Sequence, residues 1–528
     1  MSSAGNLTTK TLHSMSWSTA ATVVTAVLQI GYTAVMARLL TPATFGLVAL
    51  AGVVLRFGSY FSQIGLEQAL VQKAEMSEED VRAAFTSAAL LGALCTLALA
   101  LGAPLATQVF HEPAVVPLVR VMSFGLLVSG LSATALTILR RRMDFRTLAI
   151  IETVSYTVAY AGLGIVLAWR GYGVWSLVGA SLGQGVLVGM LAYGATRHSL
   201  RLYFNWAHYK PLLAYGTRIT FTSFLEFITS SLDTLLIGRF LGAALLGIYN
   251  RAAMLITLPL YLLTRSVSQV VFPAFSQIQA DVAKLRNAYL GSVTLVAAVV
   301  LPLGAGVAVA APVLVRALLG PGWEAAVPVL RILSVAVPLS LITMFAGIVC
   351  DARAALRGKI NVNLLTLASL GGFFWLLHGY GLMGFAAALV LNEVVRTVLF
   401  MRLMHHELDL NYQRLGAAYG PGLLHGAAVG LVLWGLNLGL ENWAWPAPAA
   451  LALLMLGGAI VLGVLMLAWP RPLLRRELHG LLSRLTAGQS SSGKVALVLA
   501  RYVRFLDRTA LLPASYVPDL EPASSLRP

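Results

Sequence analysis

Arg218, Thr222, Glu226, Thr229 and Asp233 recur every three or four residues within a stretch otherwise apolar enough to cross a bilayer. That spacing puts them on one face of one helix. An ionisable side chain at the bilayer centre costs at least about 2.5–3.5 kcal/mol, so such groups turn towards a protein interior or a water-filled cavity. The chemistry open to this stripe is the capture of polar or anionic cargo and the exchange of a proton or cation at a carboxylate. Glu226 lies halfway along its helix, too far from either surface to snorkel at about 1.5 Å per residue. It is the candidate coupling group, for a proton or a sodium ion, with a static salt bridge as the alternative. Arg218, near the cytoplasmic end, either contacts substrate or snorkels. Asp233, near the outer end, lines the same face, where it can pair with Arg239 or Arg251.

A second candidate cation is Arg56, in the middle of an apolar run and flanked at helical spacing by Gly52 and Ser59, which leave room around it. The planar guanidinium fork binds a phosphate group through paired, charge-assisted hydrogen bonds. An internal ion pair with Glu226 is the competing reading. Asn250, Met254, Thr257, Tyr261 and Thr264 form a further polar face beside the first, serving either the cavity or helix packing. Arg120 and Arg331 have an architectural role, and Glu393 and Arg396, three residues apart, satisfy each other. Gly179, Gly183, Gly185 and Gly189 read as small-residue packing, because no strand precedes them as a nucleotide loop requires. His405-His406-Glu407 lacks the ligand spacing of a metal site. With only Cys95 and Cys350 present, neither a disulfide framework nor a thiolate metal centre is supported. No cofactor is expected.

The elements that position these residues follow from composition. Of 528 residues, 58% are hydrophobic and 11% charged, and the mean hydropathy is +0.81; a soluble domain carries about a quarter charged residues. Apolar stretches of about twenty residues predict spans at 15–37, 43–65, 83–107, 116–138, 147–168, 174–195, 214–237, 245–268, 288–311, 325–349, 360–378, 381–400, 420–440 and 447–469, about fourteen in all. The first is too long for a signal-peptide core and is read as retained. The net charge of +16 is dispersed among short connections, which argues against nucleic acid and for a membrane surface. Alternate connections carry Arg140, Arg141, Arg142 and Arg146; Arg197, Arg201 and Lys210; Lys284 and Arg286; Arg353, Arg357 and Lys359. The other connections are nearly bare. The positive-inside rule makes the first set cytoplasmic, with both termini inside.

The chain also repeats itself at about 200 residues. Arg38-Leu39-Leu40 with Gly46 is echoed by Arg239-Phe240-Leu241 with Gly247. Pro117 to Ser123 is echoed by Pro328 to Ser334, and Gly171-Tyr172-Gly173 by Gly379-Tyr380-Gly381. Copies in parallel orientation hold substrate between them and rock to expose it alternately. The fold class is therefore an all-α polytopic membrane protein of two six-helix bundles related by a parallel pseudo-two-fold repeat, plus two C-terminal transmembrane helices. The segments are a cytoplasmic N-terminus (1–14), the two bundles (15–213 and 214–419), the added helices (420–469) and a tail (470–528). Span 1 mirrors span 7, and there Thr22, Thr25 and Gln29, with Ser18 and Thr33, make an uncharged stripe that lines the same cavity. The tail alternates leucines with arginines and reads as basic amphipathic helices on the anionic cytoplasmic surface or a docking surface for a partner.

Ala37-Arg38-Leu39-Leu40-Thr41-Pro42, Phe45-Gly46-Leu47-Val48-Ala49, Met143-Asp144-Phe145-Arg146, Gly173-Val174-Trp175-Ser176, Ile237-Gly238-Arg239-Phe240-Leu241-Gly242 and Leu246-Gly247-Ile248-Tyr249-Asn250-Arg251 together resemble one family. It is the Wzx-type lipid-linked oligosaccharide flippases of the MOP superfamily, in the branch of the colanic acid and teichuronic acid exporters. The resemblance covers roughly residues 10–420. It implies translocation of an undecaprenyl-pyrophosphate-linked sugar unit from the inner to the outer leaflet of a bacterial plasma membrane. The implied partners are that lipid-linked substrate, membrane lipids, and a polysaccharide polymerase with its chain-length machinery. The chain departs from the family pattern at Ser231 and Thr234, where asparagines flanking the Leu-Asp pair are expected.

Two other functions compete. A membrane-embedded polymerase or glycosyltransferase would ordinarily need a sizeable outer loop or domain bearing carboxylates, whereas every outer connection here is short; the protein is therefore read as not an enzyme. A MATE-like cation-coupled multidrug antiporter shares the two-bundle logic but favours an anionic cavity, against which Arg56 and Arg218 stand.

Overall fold

The structure, a computed structural model, describes residues 22–63, 77–204, 231–260, 271, 274–442 and 445–468. All the elements among them are helical: α1 (Thr22–Leu39), α2 (Pro42–Gln63), α3 (Glu78–Gly102), the short α4 (Leu105–Phe110), α5 (Val115–Arg141), α6 (Phe145–Trp169), α7 (Val174–Thr196), α8 (Ser231–Leu260), α9 (Val282–Leu318), α10 (Ala326–Ala352), α11 (Leu356–Leu377), α12 (Gly381–Leu408), α13 (Tyr412–Asn442) and α14 (Ala447–Ala468). Twelve stretches among the described residues are long and apolar enough to span a membrane, one of them running from Leu356 through Leu408. At about 1.5 Å per residue that stretch is two crossings, joined at Gly381.

The helices stop and start where local chemistry dictates. Ser77 and Asp80 form a reciprocal capping box on α3, while Asp144 and Asp281 each accept from the backbone N–H three residues on, at the starts of α6 and α9. The exposed arginines 140, 142, 146, 197 and 357 gather at this same end of the helices. One expected connection is absent. Instead of a loop over 238–244, α8 continues with a single break at Gly242, whose φ of +80° only glycine adopts freely. Two arms, 231–241 and 243–260, meet there and correspond to the end of predicted span 7 and most of span 8.

The backbone carries the internal repeat further than the sequence does. Eight of the eleven left-handed residues among the described residues fall in pairs: His111 with Gly322, Met143 with Ala354, Gly173 with Gly381, and Arg197 with Asp409. The four separations lie within a few residues of one another, so the same turns close the same connections in both copies although most side chains differ. α2, α3, α5, α6 and α7 pack together as one bundle; α9, α10, α11 and α12 form the other, with α13 and α14 laid against α9. Small residues set these approaches. Gly179 and Gly183 of α7 lie against Leu167 and Leu163 of α6, as their spacing predicts.

Among the described residues the largest fully buried side chain is Trp323, in the turn between α9 and α10. It packs edge-on against Phe45, with ring centroids 5.6 Å apart, and donates from Nε1 to the Ala37 carbonyl at 2.9 Å. Trp323→Ala is expected to cost about 3–5 kcal/mol, read as a clear drop in the detergent-solubilised melting temperature. Trp323→Phe, which keeps most of the packing but orphans the carbonyl, should lose about 1–3 kcal/mol. Equal melting temperatures for Trp323→Ala and the unmodified protein would disprove this assignment.

Candidate functional site

Arg218, Thr222, Glu226 and Thr229 fall outside the described residues, as do Tyr261 and Thr264; the described part of the stripe begins at Ser231. Asp233 sits on the first arm of α8. Its carboxylate accepts from the Tyr249 hydroxyl on the second arm and from the Thr234 backbone N–H at 2.6 Å. The expected pairing of Asp233 with Arg239 or Arg251 is therefore corrected. The break at Gly242 folds the second arm back so that Tyr249 reaches Asp233, while both arginines turn to the other bundle.

Arg56 lies two turns before the end of α2, with its side chain exposed, and among the described residues its guanidinium donates no hydrogen bond. Its position relative to Asp233 follows from the packing. Leu50 of α2 closes over Gly238 of α8, where a Cβ would meet its Cδ2 at 2.3 Å. The two helices run in opposite directions, so six residues along α2 and five back along α8 bring Arg56 and Asp233 to the same level. The guanidinium acts electrostatically on the carboxylate there. Cation and carboxylate thus come from different bundles and face one another across the seam between them.

Of the other residues read as cavity lining, Thr25 and Gln29 are half-buried on α1. Thr22, also half-buried, has a polar or packing partner of its own. Asn250 is half-buried with its Nδ2 donating to nothing among the described residues, and Thr257 is exposed. Thr33, further along the α1 stripe, points its hydroxyl at the Met254 sulfur at 3.6 Å, so the α1 and α8 polar faces do oppose each other. Glu393 and Arg396 pair at 3.2 Å, as their spacing predicts.

An aromatic cluster escaped the sequence reading. Tyr156 and Tyr160 of α6 stack with centroids 4.5 Å apart, and Tyr32 of α1 meets both edge-on. Tyr160 sits in a π-helical segment, Thr157–Gly164, which starts directly after Tyr156. Such wide turns concentrate at functional positions. The buried Tyr32 hydroxyl and the Arg251 Nε lack hydrogen-bond partners among the described residues, and the Arg251 charge acts on Tyr32 and Tyr156. The Arg251 guanidinium lies 4.6 Å from the centroid of Phe45, in the opposite bundle. The four-residue spacing of Tyr156 and Tyr160 was a visible signal; that Tyr32 joins them was not.

Three comparisons bear on the chain. A family described as "Polysaccharide biosynthesis protein" matches residues 35–328. The teichuronic acid biosynthesis protein TuaB of Bacillus subtilis is 24% identical over 473 residues, covering 88% of this chain and 97% of that protein. The lipopolysaccharide biosynthesis protein WzxC of Escherichia coli is 24% identical over 401 residues, 75% of this chain and 80% of that protein. Among solved structures, the lipid II flippase MurJ in an inward closed conformation superposes with a TM-score of 0.68 at 15% identity, over 85% of this chain and 97% of that one. At that identity the likeness is one of fold.

Proposed function

The chain belongs to the polysaccharide biosynthesis protein family, and from that premise we propose that it carries a lipid-pyrophosphate-linked oligosaccharide from the inner to the outer leaflet of a bacterial plasma membrane. The single observation that carries the reading is Arg56, an exposed guanidinium deep in a membrane-spanning helix that donates no hydrogen bond among the described residues. A cation held at that depth needs an anion, and a pyrophosphate supplies one that matches its fork. Asp233, across the seam, is a counter-charge the pyrophosphate displaces. The sugars follow the polar faces of α1 and α8, and the lipid tail stays in the bilayer while the bundles rock. In this reading the end bearing the exposed arginines of the α5, α7 and α11 connections is cytoplasmic, by the positive-inside rule, and the Arg38–Arg239 end faces outward. Arg218 and the Glu226 carboxylate, with its proton or sodium, belong to the same pathway in this reading.

The test is translocation of a fluorescent undecaprenyl-pyrophosphate-linked oligosaccharide in proteoliposomes, read by its accessibility to a membrane-impermeant quencher. The unmodified protein is expected to move it, and Glu226→Gln to abolish the dependence of the rate on an imposed pH or sodium gradient. Failure of the unmodified protein to move its own lipid-linked substrate would overturn the function. A gradient dependence unchanged in Glu226→Gln would overturn the coupling assignment alone.

A further inference from the structure

The two bundles meet tightly at one end, through contacts that the internal repeat duplicates. Arg38 of α1 reaches into the second bundle and donates to the last carbonyls of α9, from Nη2 to Ala317 at 2.6 Å and from Nη1 to Leu318 at 2.9 Å. Its repeat counterpart does the reverse. Arg239 of α8 donates from Nη1 to the Gln108 and Val109 carbonyls of α4 at 2.8 Å each, and lies 2.7 Å from the ring nitrogens of His111. The last carbonyls of a helix have no partner within it, and they sit at the negative end of its dipole, so an arginine fork satisfies both needs at once. Gly46 and Gly247, the other repeated pair, lie at the centre of the same seam. A Cβ on Gly46 would meet the Ala243 carbonyl, and one on Gly247 the Pro42 carbonyl.

We propose that Arg38 and Arg239 are the two latches of an outer gate, each a guanidinium from one bundle capping the outer helix end of the other, and that both must release before cargo can leave to the outer leaflet. The reciprocity is what distinguishes a latch from ordinary packing. Each bundle supplies one arginine and one acceptor end, so these four carbonyl bonds all cross the seam, while Arg38 Nη1 also donates to the Ala34 carbonyl of its own helix at 2.7 Å. Parting the seam breaks all four carbonyl contacts and returns guanidinium and carbonyl alike to water. Water solvates both, so the device is reversible. The inference rests on the transporter reading only in calling the seam a gate; the geometry of closure needs no substrate.

The measurement is the distance between spin labels at Ala114→Cys and Ala325→Cys, in a background of Cys95→Ala and Cys350→Ala, in lipid nanodiscs by double electron–electron resonance. Both label sites are exposed residues directly preceding α5 and α10 at the latched end. The unmodified protein should give mainly one short distance. Arg38→Ala and Arg239→Ala should each add a longer-distance population, and the double variant should make it the major one. Arg38→Lys, which keeps the charge but not the fork, should fall between. Unchanged distances in both single variants would overturn the proposal, even should the double variant fail to insert. Shifted distances with no translocation by the unmodified protein would retain the latch and sink the substrate assignment instead.

Discussion

Arg56→Ala is expected to lower the initial rate of lipid-linked oligosaccharide translocation at least about 100-fold at subsaturating substrate. Each charge-assisted hydrogen bond contributes about 1.5–3 kcal/mol, a guanidinium fork makes two with a phosphate, and every 1.4 kcal/mol is tenfold. No other hydrogen bond among the described residues is broken by the change, so folding should be untouched and the loss should appear in capture. Arg56→Lys keeps the charge without the planar fork and should recover part of the rate. Asp233→Asn separates the two ways in which a charge at this level could act. It removes the counter-charge while leaving an amide for Tyr249, so Arg56 should bind pyrophosphate more tightly and release it more slowly. Full activity of a correctly inserted Arg56→Ala protein would remove Arg56 from the pathway.

Gly46→Ala and Gly247→Ala should each destabilise the closed seam by about 1–3 kcal/mol, the usual cost of overpacking, a shift of about 5–150-fold between closed and open forms. The added Cβ would stand 1.7 Å from the Ala243 carbonyl oxygen in the first case and 1.9 Å from that of Pro42 in the second, and what it meets is backbone, which cannot rotate away. Gly52→Ala is the control. It lies on the same helix with nothing within 4 Å of its Cβ position, and there alanine should be neutral or stabilise the helix by up to about 1 kcal/mol. The Ala114–Ala325 label pair reads both outcomes. Were Gly46→Ala and Gly52→Ala to give the same distance distribution, the close crossing at Gly46 would not be what holds the seam.

Much of this was legible in the chain. The repeat of Arg38 and Gly46 in Arg239 and Gly247 pointed to two like halves, and those four residues sit at the seam. The spacing of Glu393 and Arg396 gave their ion pair. What the chain did not reveal was where the side chains of Asp233, Arg239 and Arg251 go. Proximity in sequence suggested that they pair. In the fold, Gly242 turns α8 back on itself, Tyr249 takes Asp233, and Arg239 and Arg251 reach the other bundle. The tyrosine cluster was hidden for a similar reason: Tyr32 is more than 120 residues from Tyr156, and only the packing of α1 on α6 joins them.

The sequence by itself determined the all-helical class, the places of most helices, the charge bias and the existence of the repeat. These depend on periodicity, length against bilayer thickness and local capping, which neighbouring residues decide among themselves. Only the tertiary structure decided which cation meets which anion and that the repeat closes on itself through reciprocal contacts. A side chain's partner across two bundles depends on helix direction and crossing distance, and a single left-handed glycine with two backbone-to-backbone approaches fixed both.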